Sequence, residues 1–239
     1  MSLSIIIPCR NEEESIEITI KEIMRHLNNS LEKFEINIIN DFSTDNTLGK
    51  IKKLYELEKT IKVYDNKIKG LGGAINLGLK NSSCKYTIIV MADLSDKPED
   101  ILKYYKEIND NQLDAVLGSR FIAGSKVINY PKKKLFFNRI FNYLVKILFW
   151  HSYNDYTNAF KIYRTDVLKE IEPLVSENFN IFLEIPLKII SRKYKYSIIP
   201  ISWENRKSGT AKFKIKELGS KYLFTLLYCF LEMVLLKKK

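Results

Sequence analysis

The chain has 239 residues, 46% of them hydrophobic, and carries 39 lysines and arginines against 28 acidic residues for a net charge of +11. That length and apolar fraction suit one α/β domain with appendages and exclude a chain that needs staples to fold. Cys9, Cys84 and Cys229 are too widely spaced for a disulfide framework or a zinc site, which fits a reducing compartment. The charge calls for an anionic partner, and with Gln112 as the sole glutamine, direct readout of nucleic acid bases is disfavoured.

In chain order, MSLSIIIPCRNEEE has an apolar run too short for a signal peptide and reads as a strand over Leu3 to Ile7, stopped by Pro8. Asn11 and Glu12 to Glu14 then open a helix with an acidic first turn, its apolar face set by Ile16, Ile20, Ile23 and Leu27. A second strand, Phe34 to Ile39, ends in NDFSTDNT, and a helix over about Thr47 to Glu58 precedes a third strand, Ile61 to Tyr64. The glycine-rich GLGGAINLG (70–78) leads into another helix. Ile88, Ile89 and Val90 form a β-branched strand buried on both faces, followed by a helix around Pro98 to Asn109 and a strand at Ala115 to Leu117 ending in GSRF. This alternation predicts a mainly parallel, doubly wound sheet.

In such sheets ligands collect outside the carboxyl ends of the strands. Asp93 and Asp96, just past the Ile88–Val90 strand, suit a hard divalent cation bridging phosphates; the bland alternative has Asp96 capping the next helix. Asp41 can accept from a base or ribose, or serve the turn with Ser43 and Asp45, the last better read as a cap. The glycines match neither G-x-G-x-x-G nor a P-loop, and helix packing accounts for Gly78.

PCRNEEES, NDFSTDNT, KGLGGAINLGL, MADLSDKPED, GSRF and DYTNAFKIYR, in that order, resemble the family 2 inverting glycosyltransferases of GT-A fold, and within them the polyprenyl-phosphate transferases of the dolichol-phosphate mannosyltransferase kind. The resemblance runs from Ser4 to about Lys216 and implies a nucleotide-binding set of Pro8, Arg10, Glu12, Asp41, Gly72 and Asp93. It implies a Mg2+ or Mn2+ site in which Asp93 matches the last acid of the D-x-D motif; Met91 replaces the first, leaving Ser95 and Asp96 as helpers. Arg120 and Arg206 match basic residues facing the phosphates, and Asn158, Glu184, Ser208 and Lys212 are implied near sugar or acceptor. Glu184 reads equally well as a helix-surface charge.

A lipid acceptor requires reach to a membrane, and two stretches fit it. Residues 132–150, KKKLFFNRIFNYLVKILFW, put Lys134, Asn138, Asn142 and Lys146 on one stripe of an otherwise apolar helix. The second, in the segment 217–239 beyond a transferase domain of 1–216, aligns Lys221, Thr225, Tyr228 and Glu232 and ends in three lysines. Its apolar run is shorter than the roughly 20 residues of a spanning helix, so it reads as an in-plane helix drawn to anionic lipid. Packing of the two helices on each other or on a second protomer is the alternative, as is a separate membrane-anchoring subunit.

The expectation is a peripheral enzyme on the cytoplasmic face of a membrane, moving a hexose, mannose from GDP-mannose first, to a polyprenyl phosphate with inversion. A phosphate oxygen is already ionised near neutral pH, its second pKa being about 6, so no general base is required, and His26 and His151 lie outside the motifs as surface residues. UDP-glucose or UDP-N-acetylglucosamine as donor, a soluble acceptor, and a catalytically silent nucleotide-sugar-binding protein are the alternatives. A processive synthase is rejected because no Q-x-x-R-W motif is present.

Overall fold

The computed structural model describes residues 2–28, 30–205 and 215–235, the side chains of 215–218 excepted. Arg206, Ser208 and Lys212 therefore lie outside the described residues, as does the lysine-rich end.

Seven strands form the main sheet: β1 (Ser2–Cys9), β2 (Lys33–Asn40), β3 (Ile61–Asp65), β4 (Tyr86–Ile89), β5 (Ala115–Ser119), β7 (Lys161–Arg164) and β8 (Tyr196–Pro200), in the order β3-β2-β1-β4-β7-β5-β8. All neighbours pair in parallel except β7, which runs antiparallel to both β4 and β5. The consecutive isoleucines of β1 feed two cores. Leu3, Ile5 and Ile7 pack with α1 (Ile16–Leu27), α2 (Thr47–Leu57) and α4 (Glu99–Asp110), while Ile6 packs with α3 (Leu71–Lys80) on the other face. Strand alternation with cover on both faces is why this run shows no polar residue every second position. Each fully buried isoleucine contributes about 1.5–3 kcal/mol.

One helix starts later than its sequence suggests. Glu12 to Glu14 form a turn ahead of α1, whose first-turn acid is Glu17. The reason is a competing set of bonds: the amides of Glu12 and Glu13 donate to Thr47 Oγ1 at 2.8 Å and Asp45 Oδ2 at 3.2 Å, and Thr44 N donates to Asn11 Oδ1 at 2.7 Å. Asp45 also accepts from Thr47 N at 3.0 Å, which makes it a turn residue and not the expected cap, since the N-cap of α2 is Asn46.

A second, two-stranded sheet pairs β6 (Lys126–Ile128) with β9 (Ser202–Glu204). The face carrying α3 also holds α5 (Lys132–Leu148), α6 (Thr165–Glu170), α7 (Ile181–Ser191) and α8 (Ile215–Leu235). Phe141 meets Tyr222 at 5.6 Å and Phe149 meets Phe230 at 6.1 Å, so α5 and α8 lie side by side and run the same way. Both turn the middle of their polar stripes inward, while Lys221 stays exposed. Asn142 is buried and accepts the Tyr156 amide at 2.6 Å, Asn138 donates to Thr157 at 2.7 Å, and Thr225 meets Asn180 at 2.9 Å. Their apolar flanks, including Phe136, Phe137, Leu144, Leu223, Phe224 and Leu227, stay more than half exposed. The sequence offered in-plane amphipathic helices or helices packed on each other; in the structure the two lie side by side, and Asn138, Asn142 and Thr225 bond to the protein. No described helix is long and apolar enough to cross a membrane.

Candidate functional site

The carboxyl ends of β1, β2, β4 and β5 share one edge of the sheet, and because β7 is antiparallel, the segment 155–160 that feeds it lies at that edge too. At the β1–β2 end, Asp41 is 5% exposed, and its Oδ1 accepts from Asn66 Nδ2 at 2.8 Å and from Gly70 N at 2.9 Å. Asn66 is itself held by Ile68 O at 2.6 Å. Asn40, where the family pattern has aspartate, donates to Asp65 at 2.9 Å and accepts from Ser43 N, so it shapes the turn. Pro8 does not stop the strand as expected: it lies inside β1, paired with Ile39, and the strand runs on to Cys9, with Arg10 and Glu12 partly exposed beyond it. Sequence reading missed Asn66, which carries no motif signal by itself.

Gly72, expected at the nucleotide, has another duty. Its amide donates to Glu177 O at 2.9 Å, and a Cβ would overlap Ser176 O, so glycine is required by the close approach of the 176–177 backbone. Gly70, at φ +128°, adopts a conformation that side chains resist.

Past β4, Leu94 has φ +57° and turns the chain so that Met91, Asp93, Ser95 and Asp96 all line one cavity of about 370 Å3. Ser95 N donates to Asp93 Oδ1 at 3.1 Å. Asp96 does not cap α4, whose N-terminal Pro98 has no side-chain cap; both its carboxylate oxygens are buried and lack a hydrogen-bond partner. Burial first, and the neighbouring Asp93 second, push the Asp96 carboxyl up to about 7. Arg120, Lys134, Thr157 and Asn158 line the same cavity, together with Phe137 and Phe141 of α5, Phe182 of α7 and Leu226 of α8.

Arg120 is held firmly. Its Nε and Nη2 donate to the two oxygens of Asp155 at 2.8 and 2.6 Å, its amide donates to Asp155 at 2.8 Å, and Nη2 also reaches Thr157 at 3.2 Å. Phe121, Tyr130 and Trp203 surround the guanidinium with ring centroids 5.4 to 5.7 Å away. A forked pair of this kind fixes a positive charge in place rather than leaving it to sweep after a ligand. Asp155 is the residue that sequence reading passed over, although it stands inside the DYTNAFKIYR motif.

Two expected contacts prove to be braces. Asn158 lines the cavity, but its amide group is taken by Gly118 O at 3.1 Å and Phe160 N at 3.2 Å. Beneath it the buried Lys161 ammonium donates to the carbonyls of Tyr156 and Asn158; burial pulls its pKa down to about 7. Glu184 is neither a surface charge nor a wall of the cavity. Fully buried, it accepts the amides of Val175 and Ser176 at 2.9 and 2.8 Å and pairs with Lys188 at 3.2 Å, holding the segment on which Gly72 rests. His151 is also no surface residue: it packs against Tyr156 and Phe149, and burial, then Lys146, lowers its pKa to about 4.

The profile of glycosyl transferase family 2 matches residues 4–172. The chain belongs to this family. Over 221 residues it is 30% identical to the dolichol-phosphate mannosyltransferase of Pyrococcus furiosus, covering 90% of this chain and 60% of that one. It thus spans about three-fifths of that relative's length. To the polyprenol monophosphomannose synthase of Mycolicibacterium smegmatis it is 24% identical over 235 residues, covering 90% and 86%. The glucosyl-3-phosphoglycerate synthase of Mycobacterium tuberculosis, solved with Mn2+, uridine diphosphate and phosphoglyceric acid, superposes with a TM-score of 0.72 at 15% identity, covering 96% of this chain and 78% of that one, which establishes the GT-A fold.

The fold family implies a divalent cation, and the residues present can be tested against it. The described residues contain no cluster of three or more acidic, histidine or cysteine ligands. A Mg2+-type ion needs fewer, because one or two carboxylates plus substrate phosphates and water complete its shell. Asp93, Ser95 and the unpartnered oxygens of Asp96 are hard oxygen donors at the strand end and fit such an ion; the Met91 thioether does not.

Proposed function

We propose that this protein transfers a hexose, mannose from GDP-mannose in the first instance, to a polyprenyl phosphate at a membrane surface, inverting the anomeric centre. The observation that carries this reading is one cavity with two chemistries. The carboxylates of Asp93 and Asp96 line it together with Arg120 and Lys134, and so do aromatic and aliphatic side chains of α5 and α8.

In this reading Asp41, oriented by Asn66, accepts from base or ribose. Asp93 and its neighbours hold a divalent cation, which when bound neutralises charge on the donor diphosphate. Arg120, pinned by Asp155, presents a fixed charge to the acceptor phosphate, with Lys134 beside it in the cavity and Arg206, Ser208 and Lys212, outside the described residues, as further donors. The acceptor oxygen attacks as the anion it already is, so the protein's work is to align it with the anomeric carbon and exclude water. The exposed flanks of α5 and α8 rest in the headgroup region, and the basic C-terminal residues favour the anionic, cytoplasmic leaflet.

The test offers purified protein labelled GDP-, UDP- and dTDP-sugars, Mn2+ or Mg2+, and a polyprenyl phosphate in vesicles. Label should enter the organic phase from one donor, GDP-mannose above the rest. A UDP-sugar doing so instead would correct the donor, and label confined to a water-soluble acceptor would overturn the lipid.

A further inference from the structure

Asp96 is the only side chain among the described residues with two carboxylate oxygens that are both buried and both unpartnered. It is 3% exposed and still lines the cavity next to Asp93 and Ser95. A charged carboxylate without hydrogen bonds is among the costlier things a fold can bury. No hydrogen bond relieves it, and only the charges of nearby Arg120 and Lys161 offset part of the cost. α4 takes no cap from it, Arg120 spends its Nε and Nη2 on Asp155 and Thr157, and Lys161 donates to backbone carbonyls. The Asp96 backbone is fixed in place, because it bridges Trp203 and the adjacent Ser95 carbonyl accepts from Glu204 N at 2.9 Å.

Position 91, at the end of the same strand, carries a thioether that hard cations avoid. Two residues that depart from expectation thus face one cavity: Met91, which lacks an oxygen, and Asp96, which has two oxygens too many. We infer that Asp96 is the second carboxylate of the divalent-cation site, working with Asp93 in place of the residue at 91, so that the site is built from the turn after β4 and not from alternate residues of its end. The inference deepens the proposed function only in naming the ligands of its cation and can fail independently of it.

The experiment is Mn2+ titration of the full chain, followed by the loss of the free-ion resonance signal and by thermal melting, without nucleotide and with GDP or UDP. Mn2+ should raise the melting temperature of the unaltered protein. Asp96→Asn should weaken Mn2+ binding by about tenfold or more and abolish that rise, and adding Met91→Asp to it should restore part of the affinity. Without metal, Asp96→Asn should melt no lower than the original, since an orphaned charge has been removed. A folded Asp96→Asn protein that binds Mn2+ within about twofold of the original overturns the inference. So does an unaltered protein insensitive to Mn2+, or an Asp96→Asn protein that keeps Mn2+ but loses donor affinity, which would give Asp96 to the sugar. Failure of every donor to label lipid would sink the proposed function and leave these titrations unchanged.

Discussion

The two halves of the sheet edge handle polar groups in opposite ways. At the β1–β2–β3 end, loops 10–14 and 40–47 and the 66–70 turn satisfy one another's amides and carboxylates, and one oxygen of Asp41 is consumed in that lattice. At the β4–β5–β7 end, Asp96 is left without partners, and α5 and α8 bury their polar stripes while exposing phenylalanines and leucines. The first region is satisfied by its own groups; the second leaves carboxylate oxygens unpartnered and apolar flanks uncovered. On the proposed reading, the first region suits a prearranged nucleotide rim, and the second holds carboxylate oxygens in reserve for a cation beside an apolar wall.

Several experiments would break or sharpen this contrast. The largest effect is expected from Asp93→Ala, which should lower transfer by about 10²–10³, the scale of removing one principal electrostatic contact, with the melting temperature nearly unchanged. Next is Asp155→Ala. Stripping the carboxylate from a buried Arg120 should cost about 3–5 kcal/mol of stability by denaturant titration, and a loss below about 1 kcal/mol would show that Arg120 is not held as described. The pair Phe137→Glu and Leu227→Glu should abolish co-flotation with anionic vesicles and leave nucleotide affinity unchanged. If flotation persists, the exposed flanks face a protein instead.

Asn66→Ala should raise the donor KM by about 5–10-fold at nearly constant kcat, since it releases Asp41 at the self-satisfied end, and Asn66→Ser should recover part of it. The smallest effect is a difference in acid sensitivity. The buried Glu35 carboxyl is lowered to about 2: burial would raise it, but hydrogen bonds from Lys62, Ser4 and Ser83 outweigh that. Its stabilisation, full above the unfolded value of 4.5, is lost as pH falls toward 2. His151 is depressed to about 4, so its contribution, full above 6.5, is lost earlier, between 6.5 and 4. Hydrogen exchange at pH 5 should therefore loosen residues 149–157 before β2; simultaneous loosening would contradict the assignment.

Much of the nucleotide half was legible in the sequence because its signals are local. Unbroken runs such as Ile5–Ile7 and Ile88–Val90 can fill only doubly covered strands, and the ordered motifs carry Asp41, Asp93 and Arg120 to one edge whatever the loop details. The apolar character of 132–150 and 217–239 was equally plain. Only the tertiary structure decided which way those helices face, since a stripe of Asn138, Asn142 and Thr225 fits water as well as it fits Thr157, Tyr156 and Asn180. It likewise made braces of Gly72, Asn158 and Glu184, and left Asp96 without a partner. Those assignments depend on what arrives from 8 to more than 100 residues away. A side chain's chemistry is written in its own residue, but whether that chemistry is spent or held in reserve is settled by its neighbours in space.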